Sequence, residues 1–298
     1  MIAFQLLPRG SPGVSDAEHV GVTPDLASRA PVAVPVQPRD HISYSSINLF
    51  RQCSLRYYFK YVAGLREEKT SASFLFGRSI HRAVEFHFRE LLSGGDGSNL
   101  DTLLSEFQAG WDEQSPETIS YPKSESESES RDNLGRLADR LLRAFLDSDL
   151  SRPTGRIIGI EEELRGRLID GVPDLLARLD LITETDDAIT ITDLKTARSA
   201  WSGQQADDSA EQLLLYGELV RRLIPHKPLR LEFMVATKTK EVSITRHAIP
   251  FDQRRLDRTK RIIERVWRAI AAEHFVPSPS PMNCPACPFR DPCRRWSG

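Results

Sequence analysis

The sequence lacks several features that would place it in a common class. It has no run of about 18 apolar residues, so we expect no membrane-spanning helix. It has no G-x4-G-K-[ST] segment, so any nucleotide-driven motor activity would need a partner. Its start lacks the basic and apolar parts of a signal peptide, and we expect a cytoplasmic protein. The formal net charge of −2 indicates neither a strongly basic nor a strongly acidic partner.

Cysteine is scarce, and its distribution is uneven. Cys284, Cys287 and Cys293 form a C-x2-C-x5-C run among prolines, whereas Cys53 lies far upstream in an aromatic segment. Thiolates spaced so closely in a loop can converge on one metal centre, which Cys53 would complete. Disulfides are not expected in a reducing cytoplasm. Four thiolates suit a [4Fe–4S] cluster, and a structural zinc ion is the alternative.

Two segments have the composition of irregular structure. Residues 1–40 are rich in proline and polar residues without periodicity, which predicts a disordered leader. Residues 124–130 alternate serine and glutamate, which predicts an acidic flexible insertion. The remaining residues, 41–298, are enough for one substantial core, with a helical insertion at about 76–150 and the cysteine loop at 284–293.

The hydrophobic periodicity predicts an α/β domain. The central mixed β-sheet would be flanked by helices, with a helical N-terminal part. Helices are predicted for residues 45–62, 76–92, 101–114, 132–146, 209–223 and 251–274, and strands for residues 156–168, 174–183, 188–194, 229–236 and 241–247.

The most informative polar residues lie in two neighbouring strands. The apolar run 175–182 contains Asp180, and the alternating run 188–195 contains Asp193. A short turn between the runs predicts a hairpin with Asp180 beside Asp193. Two facing carboxylates repel each other, and a divalent cation between them removes the repulsion. Carboxylate oxygens are the ligands that Mg²⁺ and Mn²⁺ prefer.

Lys195 strengthens this interpretation. It lies two residues after Asp193 and therefore projects from the same face of the strand. There its ammonium group can orient a metal-bound water and stabilise negative charge on a phosphate. Acidic residues at strand ends are often merely solvated, but this combination fits phosphodiester hydrolysis.

Other polar residues are candidates for the same site. Gln212 and Tyr216 share one face of the predicted 209–223 helix, because they are four residues apart. His81 flanks the apolar stripe of the helix that begins at Phe76, where a structural role is the alternative. The predicted strand 156–168 carries three consecutive glutamates, and alternation favours Glu161 or Glu163 as the one that faces outward.

The C-terminal third of the chain is locally basic. Seven basic residues crowd the predicted 251–274 helix, and three arginines surround the cysteine loop. Such clusters can neutralise phosphates although the whole chain is slightly acidic. A solvated helix face is an equally good explanation, because the helix also carries acidic residues.

In series, these motifs resemble the RecB-type nucleases of the PD-(D/E)xK superfamily. The resemblance covers residues 42–296 and rests on Ser43-x-Ser45, the aromatic segment after Cys53, Gly77-x3-His81, Asp180, Asp193-x-Lys195 and Gln212-x3-Tyr216. The chain departs from the family in having Ala177, where the family usually has glycine, and Asp193, where it often has glutamate.

The resemblance implies a role for each site residue. Lys195 would be the catalytic lysine, and Gln212 and Tyr216 would support the site and contact DNA. Glu162 is the glutamate that the usual placement of the family suggests. The implied ligands of Mg²⁺ or Mn²⁺ are His81, Asp180, Asp193 and the main-chain carbonyl of Leu194.

The one-plus-three cysteine arrangement is similar to that of the AddB-type helicase–nucleases and the CRISPR-associated RecB-like nucleases. In those families a [4Fe–4S] cluster links the two ends of the nuclease domain. The resemblance implies an exonuclease-type enzyme of DNA repair, recombination or CRISPR adaptation that acts on single-stranded DNA or duplex ends, with a helicase or adaptation protein as partner. The alternatives are a non-catalytic DNA-end-binding or scaffold subunit and an RNA-directed nuclease.

Overall fold

The computed structural model describes residues 39–67, 69–114, 118–121, 127–281 and 283–297. The predicted leader, apart from its last two residues, lies outside these ranges. Residues 122–126, which include the first part of the acidic insertion, also lie outside them. The prediction of irregular structure for these segments therefore stays a prediction.

Helices precede, interrupt and follow the strands. None of the described helices combines the length and the apolar composition that a bilayer span requires. The helices are α1 (Tyr44–Gln52), α2 (Ser54–Tyr57), α3 (Ala72–Leu92), α4 (Leu100–Gln114), α5 (Glu127–Asp147), α6 (Gly203–Asp208), α7 (Glu211–Leu223), α8 (Gln253–Ala271) and α9 (Arg290–Arg294). A π-helical turn at Tyr58–Val62 follows α2, and a 3-10 turn at Asp149–Ser151 follows α5.

The strands form one large mixed sheet and one small sheet. The large sheet has the order β1-β5-β6-β7-β8, and β4 also pairs with β5. The pairs β1–β5 and β6–β7 are parallel, and the other pairs of this sheet are antiparallel. The strands are β1 (His41–Ile42), β2 (Lys69–Ser71), β3 (Thr118–Ser120), β4 (Arg156–Gly166), β5 (Asp174–Glu184), β6 (Ile189–Ala197), β7 (Leu229–Thr237) and β8 (Ser243–Ile249). The small sheet pairs β2 with β3.

The large sheet separates two hydrophobic clusters. In β7, Phe233 and Val235 belong to the cluster that also contains residues of α1, α2, α7 and α8. Met234 and Ala236 belong to the other cluster, which contains residues of α3, α4 and α5. This alternation is the period-2 pattern of a strand buried on both faces. The predicted α/β class, with a central mixed sheet flanked by helices, is confirmed.

The first predicted helix is interrupted where a single helix over residues 45–62 was expected. Cys53 has an extended backbone with φ −164° and ψ 107°, so α1 ends and α2 begins at this residue. The C-terminal segment explains the interruption. The Leu55 N–H donates to the Val276 carbonyl at 3.2 Å, and the Ser54 hydroxyl and the Val276 main chain bind each other at 2.9 and 3.1 Å.

Other differences from the predicted elements are small. Helix α5 begins at Glu127 rather than at residue 132, so the end of the serine–glutamate stretch is helical. Glutamate is a good helix former, which is consistent with this earlier start. The short elements β1, α6 and α9 were not predicted. Helix α6 has a Ser202 cap whose hydroxyl accepts from the Gln205 N–H, a signal that the sequence does contain.

Candidate active site

The candidate site begins where the hairpin of β5 and β6 stops pairing. The antiparallel register runs from Glu184 opposite Ile189 to Leu181 opposite Thr192, so Asp180 and Asp193 are the next residues on each strand. Beyond this point the Leu194 N–H donates to Asp180 Oδ2 at 2.7 Å. A carboxylate therefore takes the place of a main-chain partner, and the strands separate where the acidic residues lie.

Lys195 belongs to a chain of polar contacts that reaches α7. Its Nζ lies 2.6 Å from Asp193 Oδ2 and donates to Gln212 Oε1 at 3.1 Å. Gln212 Nε2 in turn donates to the Tyr216 hydroxyl at 3.1 Å. The i, i+4 pair on α7 thus fixes the lysine through an amide, as its shared helix face allows.

Strand β4 contributes Glu161 through an irregular backbone. Glu161 has φ 52°, which is uncommon for a residue other than glycine. Its neighbours Ile160 and Glu162 pair with Leu181 and Leu179, the residues on either side of Asp180. Glu161 therefore lies opposite Asp180, and the structure gives the position beside Asp180 to Glu161 instead of Glu162.

The placement of Glu162 follows from the same irregularity. Its Cγ lies 2.7 Å from the position that a Cβ of residue 159 would occupy, and only glycine fits there. Glu162 thus folds back over its own strand instead of reaching the cleft. The alternation argument, which favoured Glu161 or Glu163, assumes a regular strand, and the positive φ of Glu161 departs from that assumption.

Helix α3 brings His81 to the site from the opposite side. Its Gly77 lies close to β6, because a Cβ at this position would meet Thr196 Oγ1 at 3.0 Å. One turn later, His81 Nδ1 lies 3.7 Å from Asp180 Oδ2, and the ring is half-buried. The close approach at Gly77 is thus what lets the imidazole reach the carboxylates.

Three side chains at this point could hold one metal ion. His81, Glu161 and Asp180 each offer a ligand atom, and these atoms all lie within 4.8 Å of one another. Asp193 lies outside this group, because its carboxylate is held by Lys195. The roles of Asp193 and of the Leu194 carbonyl as ligands stay predictions. The group faces a cleft of about 770 Å³, whose lining also includes Lys195.

The cluster has more negative than positive charge, and the pKa values reflect this. Burial, and then the charge of Asp193, raise the pKa of Asp180 to about 7. Burial and the charge of Asp180 raise the pKa of Glu161 to about 6. Burial also lowers the pKa of His81, so its neutral, metal-binding form is favoured.

Lys195 is the half-buried cation of the cluster. Burial disfavours its charged form, but the neighbouring Asp193 carboxylate outweighs this effect, and the pKa of Lys195 lies above its ordinary value. Burial raises the pKa of Tyr216 to about 12, so its hydroxyl stays protonated. The arrangement therefore keeps the Lys195 ammonium group and the Tyr216 phenol next to carboxylates whose negative charge exceeds the positive charge around them.

The sequence did not indicate Arg178. Its guanidinium forms an ion pair with Glu161 from the edge of β5 and is mostly exposed. Arg178 is two residues before Asp180, and this period-2 spacing was the available signal. Its charge only partly offsets the carboxylates, because the side chain is solvated.

Comparison with known proteins gives one family match and similar solved structures. The model of the PD-(D/E)XK nuclease superfamily matches residues 41–294. Among solved structures, a protein from Eubacterium rectale described as "Putative exonuclease" has a TM-score of 0.53 and 17% identity, covering 86% of this chain and 88% of that chain. A structure named SSO0001 has a TM-score of 0.32 and 16% identity, covering 82% of this chain and 93% of that one. A search of curated proteins gives no match. The chain belongs to the PD-(D/E)XK nuclease superfamily.

Proposed function

We propose that the protein is a metal-dependent deoxyribonuclease of exonuclease type that acts on DNA ends or single strands. The observation that carries the proposal is the convergence of His81, Glu161 and Asp180 within 4.8 Å, beside the ammonium group of Lys195. The description of the similar structure as an exonuclease adds support for the type of cleavage.

The donor set fits Mg²⁺ or Mn²⁺. Two carboxylates and one imidazole converge, and the pKa values of Asp180 and Glu161 are raised, first by burial and then by a neighbouring carboxylate, so a bound cation would stabilise their charged forms. Carboxylate oxygens suit both ions, whereas an imidazole ligand suits transition metals better than magnesium. A divalent ion bound here would polarise the scissile phosphate and lower the pKa of a water molecule.

Each residue of the site would then have a separate role. Asp180 and Glu161 would hold the ion, and His81 would complete the ligand set from α3. Lys195 places its positive charge where the phosphate gains negative charge in the transition state. Asp193 keeps this lysine protonated and aimed, and Gln212 fixes the far side of the ammonium group through a 3.1 Å hydrogen bond.

The four cysteines fit a second metal centre. Burial raises the pKa of the Cys293 thiol, and Cys53, Cys287 and Cys284 all lie near enough to raise it further. The Trp296 ring contacts the rings of Tyr58 and Phe59 at centroid distances of 5.1 and 5.8 Å, so the segment that follows Cys53 packs against the C-terminal segment that carries the other cysteines.

We infer that this centre is a structural [4Fe–4S] cluster, with zinc as the alternative. The thiolates come from opposite ends of the domain. A metal centre that joins them would therefore stabilise the fold, because metal binding then contributes to the free energy of folding. The cluster and the motif order together support a RecB-type nuclease of DNA repair, recombination or CRISPR adaptation. Its partner would be a helicase or an adaptation protein.

The decisive assay uses end-labelled single-stranded and duplex DNA with the intact holoprotein. We expect metal-dependent shortening from an end in Mg²⁺ or Mn²⁺ and no cleavage in EDTA. A circular single strand is the control for the exonuclease type, because it has no end and should survive. DNA binding without cleavage in any of the metals would favour the non-catalytic scaffold, and preferential cleavage of RNA would favour the RNA-directed alternative.

The cysteine centre is tested separately from cleavage. Anaerobically purified protein should be brown, with broad absorbance near about 400 nm from thiolate-bound iron. Cys293→Ser should lose both the colour and much of the thermal stability. Colourless wild-type protein with stoichiometric zinc would replace the cluster by a zinc site without affecting the proposed hydrolysis.

A further inference from the structure

A large cavity lies next to the catalytic cleft. Its volume is about 1050 Å³, and its walls come from the start of α3, the helix α5 and the turn between β7 and β8. The cavity and the cleft share the residues Ser71, Ser73, Arg198 and Lys238. The cavity is therefore continuous with the cleft rather than a separate site.

The sheet places two of the shared residues side by side. Strands β6 and β7 are parallel, and Ala197 pairs with Thr237 at their carboxyl ends. Arg198 and Lys238 are the next residues on each strand, and the Lys238 N–H donates to the Ala197 carbonyl at 2.7 Å. In open α/β sheets, ligands bind beyond the carboxyl ends of such strands.

The two cations have no acidic partner within the described residues. Lys238 Nζ donates to the Ser73 hydroxyl at 3.1 Å and lies 5.4 Å from the centroid of the Phe76 ring. Burial and then the charge of Arg198 lower the pKa of Lys238, which shows that the two positive charges repel each other. An anion between them would remove this repulsion.

The cavity wall adds further positive charge. Arg136, Arg140 and Lys240 line it, and Arg140 Nη1 donates to the Lys240 carbonyl at 2.6 Å, which ties α5 to the turn after β7. The acidic residue of this wall, Asp139, is already paired with Arg143 at 3.4 Å. The wall thus has a positive excess that suits a polyanion.

An exposed aromatic ring lies at the entrance. Phe74, in the first turn of α3, lines the cleft and is 57% exposed. The guanidinium of Arg78, one turn later, lies 5.7 Å from its ring centroid. A phenylalanine with this exposure, next to cations, can offer its face to a flat partner such as a nucleobase.

We propose that Phe74, Arg198 and Lys238 form a strand track that guides one unpaired nucleic-acid strand from the catalytic cleft into the cavity. Arg198 and Lys238 would bind a phosphate beyond the scissile one, because three residues of strand separate Arg198 from Lys195, a distance on the order of 10 Å. This proposal rests on the proposed nuclease function and names its substrate more narrowly.

The track favours a single strand over a duplex for two reasons. A side chain can stack on a base only when the base face is open, and duplex stacking hides both faces. In addition, a cavity of about 1050 Å³ has the size of pockets that enclose a drug-sized ligand. Such a cavity takes a few nucleotides of one strand rather than a helix.

The test measures binding without cleavage. Fluorescence anisotropy in EDTA would give the affinity of the holoprotein for a labelled single-stranded oligonucleotide over a range of salt concentrations. The double variant Arg198→Ala, Lys238→Ala should bind at least about tenfold more weakly. The slope of log affinity against log salt should fall by about 0.7 in magnitude, since the two cations bind one phosphate and each phosphate contact on a single strand contributes about 0.7.

A control variant that loses the same charge distinguishes binding at the strand track from general electrostatic attraction between the protein and the nucleic acid. Arg167→Ala, Arg230→Ala removes two exposed cations elsewhere, and Arg230 lies at the opposite end of β7. This control should keep wild-type affinity. Equal losses in the two double variants, or an unchanged salt slope in the track variant, would overturn the proposal. If the double variant unfolds, Arg198→Gln alone tests the cation that follows β6. Its salt slope should fall by about half as much as that of the double variant.

Phe74 supplies the test of strandedness. Phe74→Ala should weaken single-strand binding about tenfold while leaving blunt-duplex binding unchanged, and Phe74→Trp should restore it. Equal effects on both substrates would contradict stacking. Wild-type protein that binds single strands with the predicted slope but never cuts them would refute the proposed enzyme while leaving the track intact.

Discussion

Two clusters of buried charge in this molecule differ in how completely the chain neutralises them. On α7, the Glu218 carboxylate contacts Arg221 at 2.6 Å, Arg222 at 3.2 Å and Lys260 at 3.3 Å. At the end of the β5–β6 hairpin, the carboxylates of Glu161, Asp180 and Asp193 share one half-buried lysine and one exposed arginine.

The pKa values of the two clusters shift in opposite directions. Burial alone would raise the pKa of Glu218, but its cations overcome this effect and lower it. In the hairpin cluster the pKa of Asp180 is raised to about 7. A structural charge is thus compensated by the protein, whereas a charge left uncompensated in a cleft indicates a ligand that brings the missing positive charge.

The largest expected difference is between the lysines of the two clusters. Lys195→Ala should lower the cleavage rate by at least about 100-fold, because it removes the positive charge nearest the scissile phosphate. Lys260→Ala, which removes a lysine from the Glu218 cluster, should leave the rate unchanged. The measurement is the initial rate on end-labelled single-stranded DNA. Full activity of Lys195→Ala would exclude this lysine from catalysis.

The Glu218 cluster should instead determine stability. Glu218→Gln leaves three cations without their carboxylate, and we expect a loss of about 2–3 kcal/mol in the free energy of unfolding at neutral pH. A lowered pKa contributes stability above the ordinary value of 4.5, and this contribution disappears as the pH falls through the folded-state pKa. Denaturant unfolding of the wild type and the variant at pH 7 and at acidic pH checks both statements.

Loss of a carboxylate from the hairpin cluster should change the free energy of unfolding in the opposite direction. In metal-free protein, Asp180→Asn should increase the free energy of unfolding by about 1–2 kcal/mol at pH 8. The reason is that a raised pKa makes ionisation of Asp180 unfavourable in the folded state. This penalty grows between the ordinary pKa of 3.8 and about 7 and is constant above that. Unfolding at pH 4 and pH 8 in EDTA measures it, and destabilisation at pH 8 would contradict the charge imbalance.

Local sequence patterns predicted most of the fold. Strands β4 to β8 and helices α3, α4 and α7 lie within a few residues of their predicted bounds, because apolar periodicity reports directly on burial. The interruption at Cys53 was not predictable, since it depends on main-chain contacts with Val276, more than 200 residues away. A local sequence pattern carries no information about such long-range contacts.

Parts of the arrangement at the candidate site also follow from local patterns, although the roles of its residues stay predictions. The neighbouring positions of Asp180 and Asp193, and the i, i+4 relation of Gln212 to Tyr216, follow from strand and helix geometry. The position of Glu161, rather than Glu162, beside Asp180 depends on a positive φ within β4. A glutamate in the sequence gives no sign of such a backbone conformation. The cavity and its cations likewise arise from residues that meet only after folding.

The most direct test of the account is a Mn²⁺ titration of the holoprotein followed by electron paramagnetic resonance. The wild type should bind the ion, and Glu161→Gln and Asp180→Asn should each weaken binding at least about tenfold, because each removes a charged ligand. Glu162→Gln and Glu218→Gln should bind as the wild type does. Equal weakening by Glu161→Gln and Glu162→Gln, or no Mn²⁺ binding by the wild type, would contradict the claim that the uncompensated carboxylates form a metal site.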